Sequence, residues 1–295
     1  MSTADLAVPA GPEAAATAAR SRGAAAWLRF LRSELRLIFG RLRNLLLLAV
    51  LAVLPIVLGV VLKISGGGGN GGGPAFLNQV AGNGVFLALV ALFVMLTLVL
   101  PLTMAVVAGD AIAGEAGRGT LRSLLTIPAG RTRLLAVKYT AVVIFALAAC
   151  LLIAVVALIT GALLFGVGPV TLLSGNTISL GAGLLRLLVV VLYVAAAMAA
   201  LGALGLAVSA FTEHSIGAMA AVLVIAVFSE IADSVSQISA VHPYLPTHWW
   251  LSFDGLLRSP VDWSGELHGL LSFGCYAVIF LAIAWARFTS ADVTS

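Results

Sequence analysis

Charge is scarce in this chain. Asp, Glu, Lys and Arg together make up 9% of its 295 residues, against about 25% in an ordinary soluble domain, so a water-exposed surface cannot be built from it. Cysteine is scarcer. Cys150 and Cys275 fall inside apolar stretches and form neither a disulfide framework nor a metal-ligand spacing, which leaves them as small buried hydrophobes. No G-x-x-x-x-G-K-[ST] segment occurs, so the backbone cradle that holds nucleotide phosphates is missing. Ser174 and Ser215 lack the G-x-S-x-G setting of a serine nucleophile, and no aspartate pair stands at a span end to hold Mg²⁺. Carboxylates are absent from the middle of the apolar stretches, which removes a proton relay or an ion path. What is present is 61% hydrophobic with a mean hydropathy of +1.14, the composition of a polytopic membrane protein.

A membrane-crossing helix needs about 20 apolar residues. Six stretches qualify, at 44–63, 85–109, 138–166, 183–211, 216–231 and 269–286. The expected fold is therefore an all-α membrane protein with six transmembrane helices between residues 44 and 287. A disordered tail over 1–23 and an amphipathic interfacial helix over 24–43 precede it, and a short tail over 288–295 follows. In the amphipathic segment Trp27, Leu28, Leu31, Leu35, Ile38 and Phe39 recur at helical spacing. Arg29, Arg32, Arg36 and Arg43 recur on the opposing face, as on a helix lying among anionic headgroups.

The basic residues fix an expected orientation. Arg20, Arg22, Arg29, Arg32, Arg36, Arg41 and Arg43 precede the first span. Arg118, Arg122, Arg131, Arg133 and Lys138 occupy the second connection, and Arg287 follows the last span; only Lys63, Arg186 and Arg258 fall on the other side. By the positive-inside rule both termini are cytoplasmic, as an even number of spans requires. The pI near 9.5 is thereby accounted for without nucleic acid. The outer connection Ser65–Gly84 is a glycine-rich flexible linker. The segment from Ala232 to His268, with its Trp, Tyr and Leu, suits a re-entrant or interfacial hairpin.

One polar cassette interrupts the cytoplasmic side, from Glu115 to Lys138. Gly119 and Thr120 start a short helix, the threonine hydroxyl serving orphan amides. Leu121, Leu124 and Leu125 give it an apolar edge, and Pro128 forces Ile127 out of helical geometry and stops it. Thr132 is then placed to cap the third span. Two turns of helix do not persist alone in water, so this one is expected to be held by its own protein or by a partner.

Glu115, Gly119-Thr120-Leu121, Leu124-Leu125, Pro128, Arg131 and Lys138 resemble the coupling-helix signature of ABC-2 type transporter permeases. The architecture of an interfacial N-terminal helix, six spans and re-entrant segments before the last is similar too. The resemblance implies a permease subunit of an ATP-binding cassette exporter. A separately encoded ATPase, in two copies, would dock on the 115–131 coupling helix and carry the ATP and Mg, with no cofactor or metal in this chain and no enzymatic activity of its own. It also implies a second permease subunit, identical or related, surrounded by membrane lipids in the cell membrane. On this reading Glu115, Arg122 and Arg131 make charged contacts to the ATPase while Leu121, Leu124 and Leu125 fill its groove. An apolar interior points to an amphiphilic or hydrophobic substrate such as a drug, antibiotic, lipid or peptide. The alternatives are an ATPase-independent secondary transporter and a membrane-assembly subunit.

Two further expectations concern the outer side. Arg186 and Glu230 are expected to form a structural ion pair. His242 and His248, with Asp254 and Asp262 nearby, have the residue types of a metal site, but the prolines and aromatics between them favour interfacial anchoring.

Overall fold

The computed structural model describes residues 12–65, 83–117, 130–172 and 175–290. Helix α1 runs over Pro12–Gly40 and α2 over Leu42–Ile64. They are followed by α3 (Gly84–Thr97), α4 (Val99–Ala116), α5 (Arg131–Phe165), α6 (Leu180–Ala210), α7 (Ser215–Asp233) and α8 (Ser264–Ser290). Six of these, α2 and α4 to α8, are long and apolar enough to cross a membrane, so the expected all-α class and the number of spans hold. Helix α1 begins at Pro12, well ahead of the expected residue 24. Proline suits a helix start, and the alanines that follow are the best helix formers.

The second span is not straight. Expected as one run over 85–109, it is divided at Leu98 (φ −144°, ψ −48°) into α3 and α4. The cause is Pro101, which has no N–H to give the Thr97 carbonyl and whose ring crowds it. The helix resumes with Leu102 donating to the Leu98 carbonyl at 3.0 Å. The two halves go to different neighbours, α3 packing chiefly on α5, and α4 on α6 and α7.

Packing follows membrane logic, in which small residues set how closely helices approach. Helices α4 and α6 form the buried centre, and α2, α7 and α8 the periphery. Against Gly205 of α6 lies Ala108 of α4, and against Gly109 of α4 lies the Met219 backbone of α7. Helix α2 turns Asn44, Leu51, Pro55, Gly59 and Leu62 inward and leaves Leu46, Val50, Val53, Val57 and Val61 outward. Cys150 is buried in the core, whereas Cys275, expected to be buried, is exposed on α8. Phe30 of α1 and Phe288 of α8 both pack into the cluster around Ile112, Leu134 and Leu206, so α1 and α8 meet at one end of the bundle, the near end.

At the far end, β1 (Val170–Thr171) and β2 (Thr177–Ile178) pair antiparallel, a hairpin that helical periodicity did not suggest. The expected re-entrant segment is a series of short 3₁₀ turns between Ser236 and Leu257, with Trp250, Phe253 and Leu256 buried against the bundle.

Candidate functional site

The cassette leaves the bundle at the last turn of α4 and re-enters at the first turn of α5. Its two ends are joined by a buried ion pair. Lys138, two turns into α5, donates to Glu115 Oε1 at 2.6 Å, and the two side chains are 2% and 9% exposed. Glu34 of α1 completes the group at 3.4 Å from the same ammonium. An ammonium between two carboxylates offsets part of the desolvation that each charge suffers when taken out of water. The result is a clasp at the base of the cassette that ties α1, α4 and α5 together.

A second ion-paired group, centred on the buried Asp110, reinforces it one turn away. Arg41 and Arg43 flank the bend between α1 and α2, where Arg41 is extended (φ −74°, ψ 125°). Both donate to Asp110 Oδ2, Arg43 at 2.9 Å. Gly114 is required beside it, since any Cβ there would meet the Asp110 carboxylate. Ser209 of α6 donates to the Gly109 carbonyl at 2.8 Å and accepts from the amides of Ile112 and Ala113. The last two turns of α4 are therefore held by α1, α2, α5 and α6 together. Asn44 donates to the Ile38 carbonyl at 2.8 Å and fixes the bend.

Burial pushes the Glu34 carboxyl above its ordinary range, against the pull of the Lys138 ammonium. A raised folded-state pKa means stability that is full at acid pH and is lost as pH rises through that value. Glu34→Gln keeps the shape and removes the titration. It is expected to leave stability at neutral pH within about 1 kcal/mol of the parent and to flatten its dependence on pH above 4.5, the ordinary glutamate value. Thermal unfolding in detergent across pH 4 to 8 reads both; a steeper pH dependence in the variant would contradict the assignment.

Of the residues expected at the site, Glu115 is thus an internal partner of Lys138, and its carboxylate is largely turned away from solvent. Gly119, Thr120, Leu121, Arg122, Leu124, Leu125 and Pro128 lie outside the described residues. Arg131 opens α5, but its side chain also lies outside them. Thr132 does not cap the third span. Gly130 occupies that position with no side-chain bond, and the Thr132 hydroxyl accepts instead from Trp285 at 2.9 Å. Gly117, at the outgoing end, lies against the Glu213 carbonyl in the turn between α6 and α7, so the cassette emerges beside that turn. Sequence reasoning missed Glu34 as a partner. Its signal was available, since it is the one acid among the arginines of 24–43.

The expected Arg186–Glu230 pair does not form. Arg186 donates to the carbonyls of Leu256 and Arg258 at 2.8 and 2.9 Å, a cap on the 3₁₀ segment that sequence distance cannot reveal. Glu230 instead edges a cleft of about 250 Å³ opened by the break at Leu98. Thr97, Leu98, Pro101, Leu223, Ala226 and Trp250 are among the other residues that line it. The two histidines also have a different neighbour from the ones expected. Asp254 pairs with Arg258 at 3.1 Å and Asp262 accepts from the Ser264 amide, while Asp233 reaches both rings.

A family model described as ABC-2 family transporter protein matches residues 43–229, a stretch that runs from the start of α2 almost to the end of α7 and contains the whole cassette. No curated protein matches the chain.

Proposed function

This chain belongs to the ABC-2 family of transporter proteins and is a multi-pass membrane permease of an ABC-type transporter; from that premise we propose that it is an exporter subunit that works with a separate ATPase docked on its 115–131 segment. Two ATPase copies and a second permease, either another copy of this chain or a relative, complete the assembly in the cell membrane, with both termini cytoplasmic. ATP-driven closure of the ATPases would push on the cassettes of both permeases and rock the membrane halves between inward- and outward-open states.

The observation that carries this reading is the clasp. A load applied to the cassette meets two helix ends already joined through Glu115 and Lys138, so α4 and α5 move as one and α1 moves with them through Glu34. A free loop of this length would absorb the same displacement in its own backbone. The cleft beside Leu98 supports an amphiphilic substrate: its lining is apolar except for Thr97 and Glu230, which favours a hydrophobic body bearing a cationic or hydrogen-bonding group.

Co-expression with a candidate ABC ATPase from the same organism tests the proposal. The two proteins are expected to purify together from detergent. Leu125→Asp, which places a charge on the apolar edge of the coupling helix, should lower the recovered ATPase roughly tenfold or more, the loss typical of an interface anchor. A parent chain that recovers no ATPase, or a variant that recovers as much as the parent, overturns the docking assignment.

A further inference from the structure

At the far end of the bundle, away from the clasp, three metal-ligating side chains converge. Asp233 lies in the last turn of α7, and His242 and His248 lie in the turns that follow. His248 Nδ1 is 2.6 Å from Asp233 Oδ1 and His242 Nδ1 is 3.8 Å from the same oxygen. One donor atom from each of the three residues falls within 4.8 Å of the other two.

The turns that carry the histidines are fastened next to each ring. Trp249 donates its indole N–H to the Pro243 carbonyl at 3.0 Å and stacks on His268. Tyr276 donates to the Tyr244 carbonyl, and the Thr247 hydroxyl bonds that of Ser229 at 2.8 Å. The orientation of His242 is set as well. Its Nε2 lies 3.1 Å from the Val235 carbonyl, and a carbonyl can only accept. Nε2 therefore donates to it, and Nδ1 faces Asp233. A ring nitrogen tied to a backbone carbonyl, with the other nitrogen left as a donor, is how proteins orient a metal-ligating histidine.

We propose that Asp233, His242 and His248 bind a divalent transition-metal ion of the zinc type. Two imidazoles and a carboxylate suit zinc, while calcium and magnesium want oxygen ligands throughout. Ligands at about 2.05 Å in a tetrahedron stand about 3.3 Å apart. The His242–Asp233 separation fits with a small closure, and the His248–Asp233 hydrogen bond opens as the ion takes the place of its proton. On neutral His248 that proton moves through water to Nε2. Three protein ligands leave one position for water or a substrate donor. The bound ion fastens the end of α7 to the segment before α8, a cross-link at the opposite end of the bundle from the coupling cassette.

Zinc titration of the purified full-length chain in detergent, after chelator treatment, tests the site with a competing fluorescent indicator as readout. The parent is expected to take up about one ion per chain and to gain thermal stability on zinc addition but not on calcium addition. His242→Gln, His248→Gln and Asp233→Asn should each weaken binding by roughly 10- to 100-fold and abolish the zinc-induced gain. His214→Gln, at the opposite end of α7 from Asp233, should leave both unchanged. Asp233→Asn preserves the shape of the carboxylate, and its melting temperature in chelator, equal to that of the parent, shows that the fold is kept. A parent that binds no zinc, or binding retained in His242→Gln/His248→Gln, overturns the site and leaves a plain His–Asp hydrogen bond there. Neither result bears on whether the ATPase docks at the other end.

Discussion

Lys138→Met destabilises this protein more than any other single change at the clasp. The substitution keeps most of the side-chain volume and removes the ammonium that faces both Glu115 and Glu34 at hydrogen-bonding distance. Breaking a buried pair from one side costs about 3–5 kcal/mol, because the remaining charge loses its counter-charge away from water, and here two carboxylates lose the Lys138 ammonium. For a domain of this size that lowers the melting temperature by on the order of 10 °C. The companion variant Lys138→Met/Glu115→Leu removes both members of the closer pair and should recover most of the loss, since a buried pair replaced by apolar groups of similar volume is often neutral. The recovery, measured as a double-mutant cycle, gives the coupling between the two residues. A single variant that melts with the parent, or a double variant no better than the single one, rules out the clasp as described. If the clasp also transmits load, the rescued double variant retains bound ATPase while its ATP turnover no longer responds to substrate.

The second large effect is steric. Gly84 at the start of α3 and Gly161 near the end of α5 cross with their backbones in contact. A Cβ on Gly84 would lie 2.6 Å from the Ala162 nitrogen, and one on Gly161 would lie 2.8 Å from the Gly84 carbonyl carbon. No rotamer relieves such an overlap, because the obstructing atoms are backbone. Two tendencies oppose each other at Gly161→Ala. Alanine is worth about 1 kcal/mol over glycine inside a helix, while overpacking costs typically 1–3 kcal/mol. The crossing is also anchored by Asn83, whose amide donates to the carbonyls of Gly168 and Pro169 at 2.8 Å, so the helices cannot separate freely. The net expectation is a loss of about 1–2 kcal/mol for Gly161→Ala and roughly 3 kcal/mol for Gly161→Leu. Gly274→Ala is the control, because nothing lies within 4 Å of the added atom on α8; it should be neutral or slightly stabilising. Equal melting of Gly161→Ala and Gly274→Ala would mean that the crossing is looser than the backbone contact implies.

Much of this architecture was legible in the sequence because long apolar runs have few alternatives in a membrane. The spans near 44–63, 183–211 and 269–286 each correspond to one helix. The break at Leu98 was marked by Pro101 but concealed by continuous hydrophobicity on both sides. Pairings were less accessible. Glu115 and Lys138 carry the resemblance as separate signature positions, yet nothing in their 23-residue spacing says that they meet. Arg186 was matched with Glu230 by depth alone, when the competing acceptors were backbone carbonyls, to which a sequence gives no address. Asp233 escaped notice beside the histidines because it belongs to the end of a span, whereas Asp254 and Asp262 share their loop.

The contacts of α1 have a consequence for how the chain is made. Glu34 finds its counter-charge 104 residues downstream, and Arg41 and Arg43 find Asp110 at separations of 69 and 67. During synthesis the first helix and first span therefore emerge with three charges whose partners have not yet been translated. The arginines are satisfied when the second span is complete, and Glu34 only when the third has begun. The ion pair that joins α1 to α5 therefore forms only after Lys138 has been made.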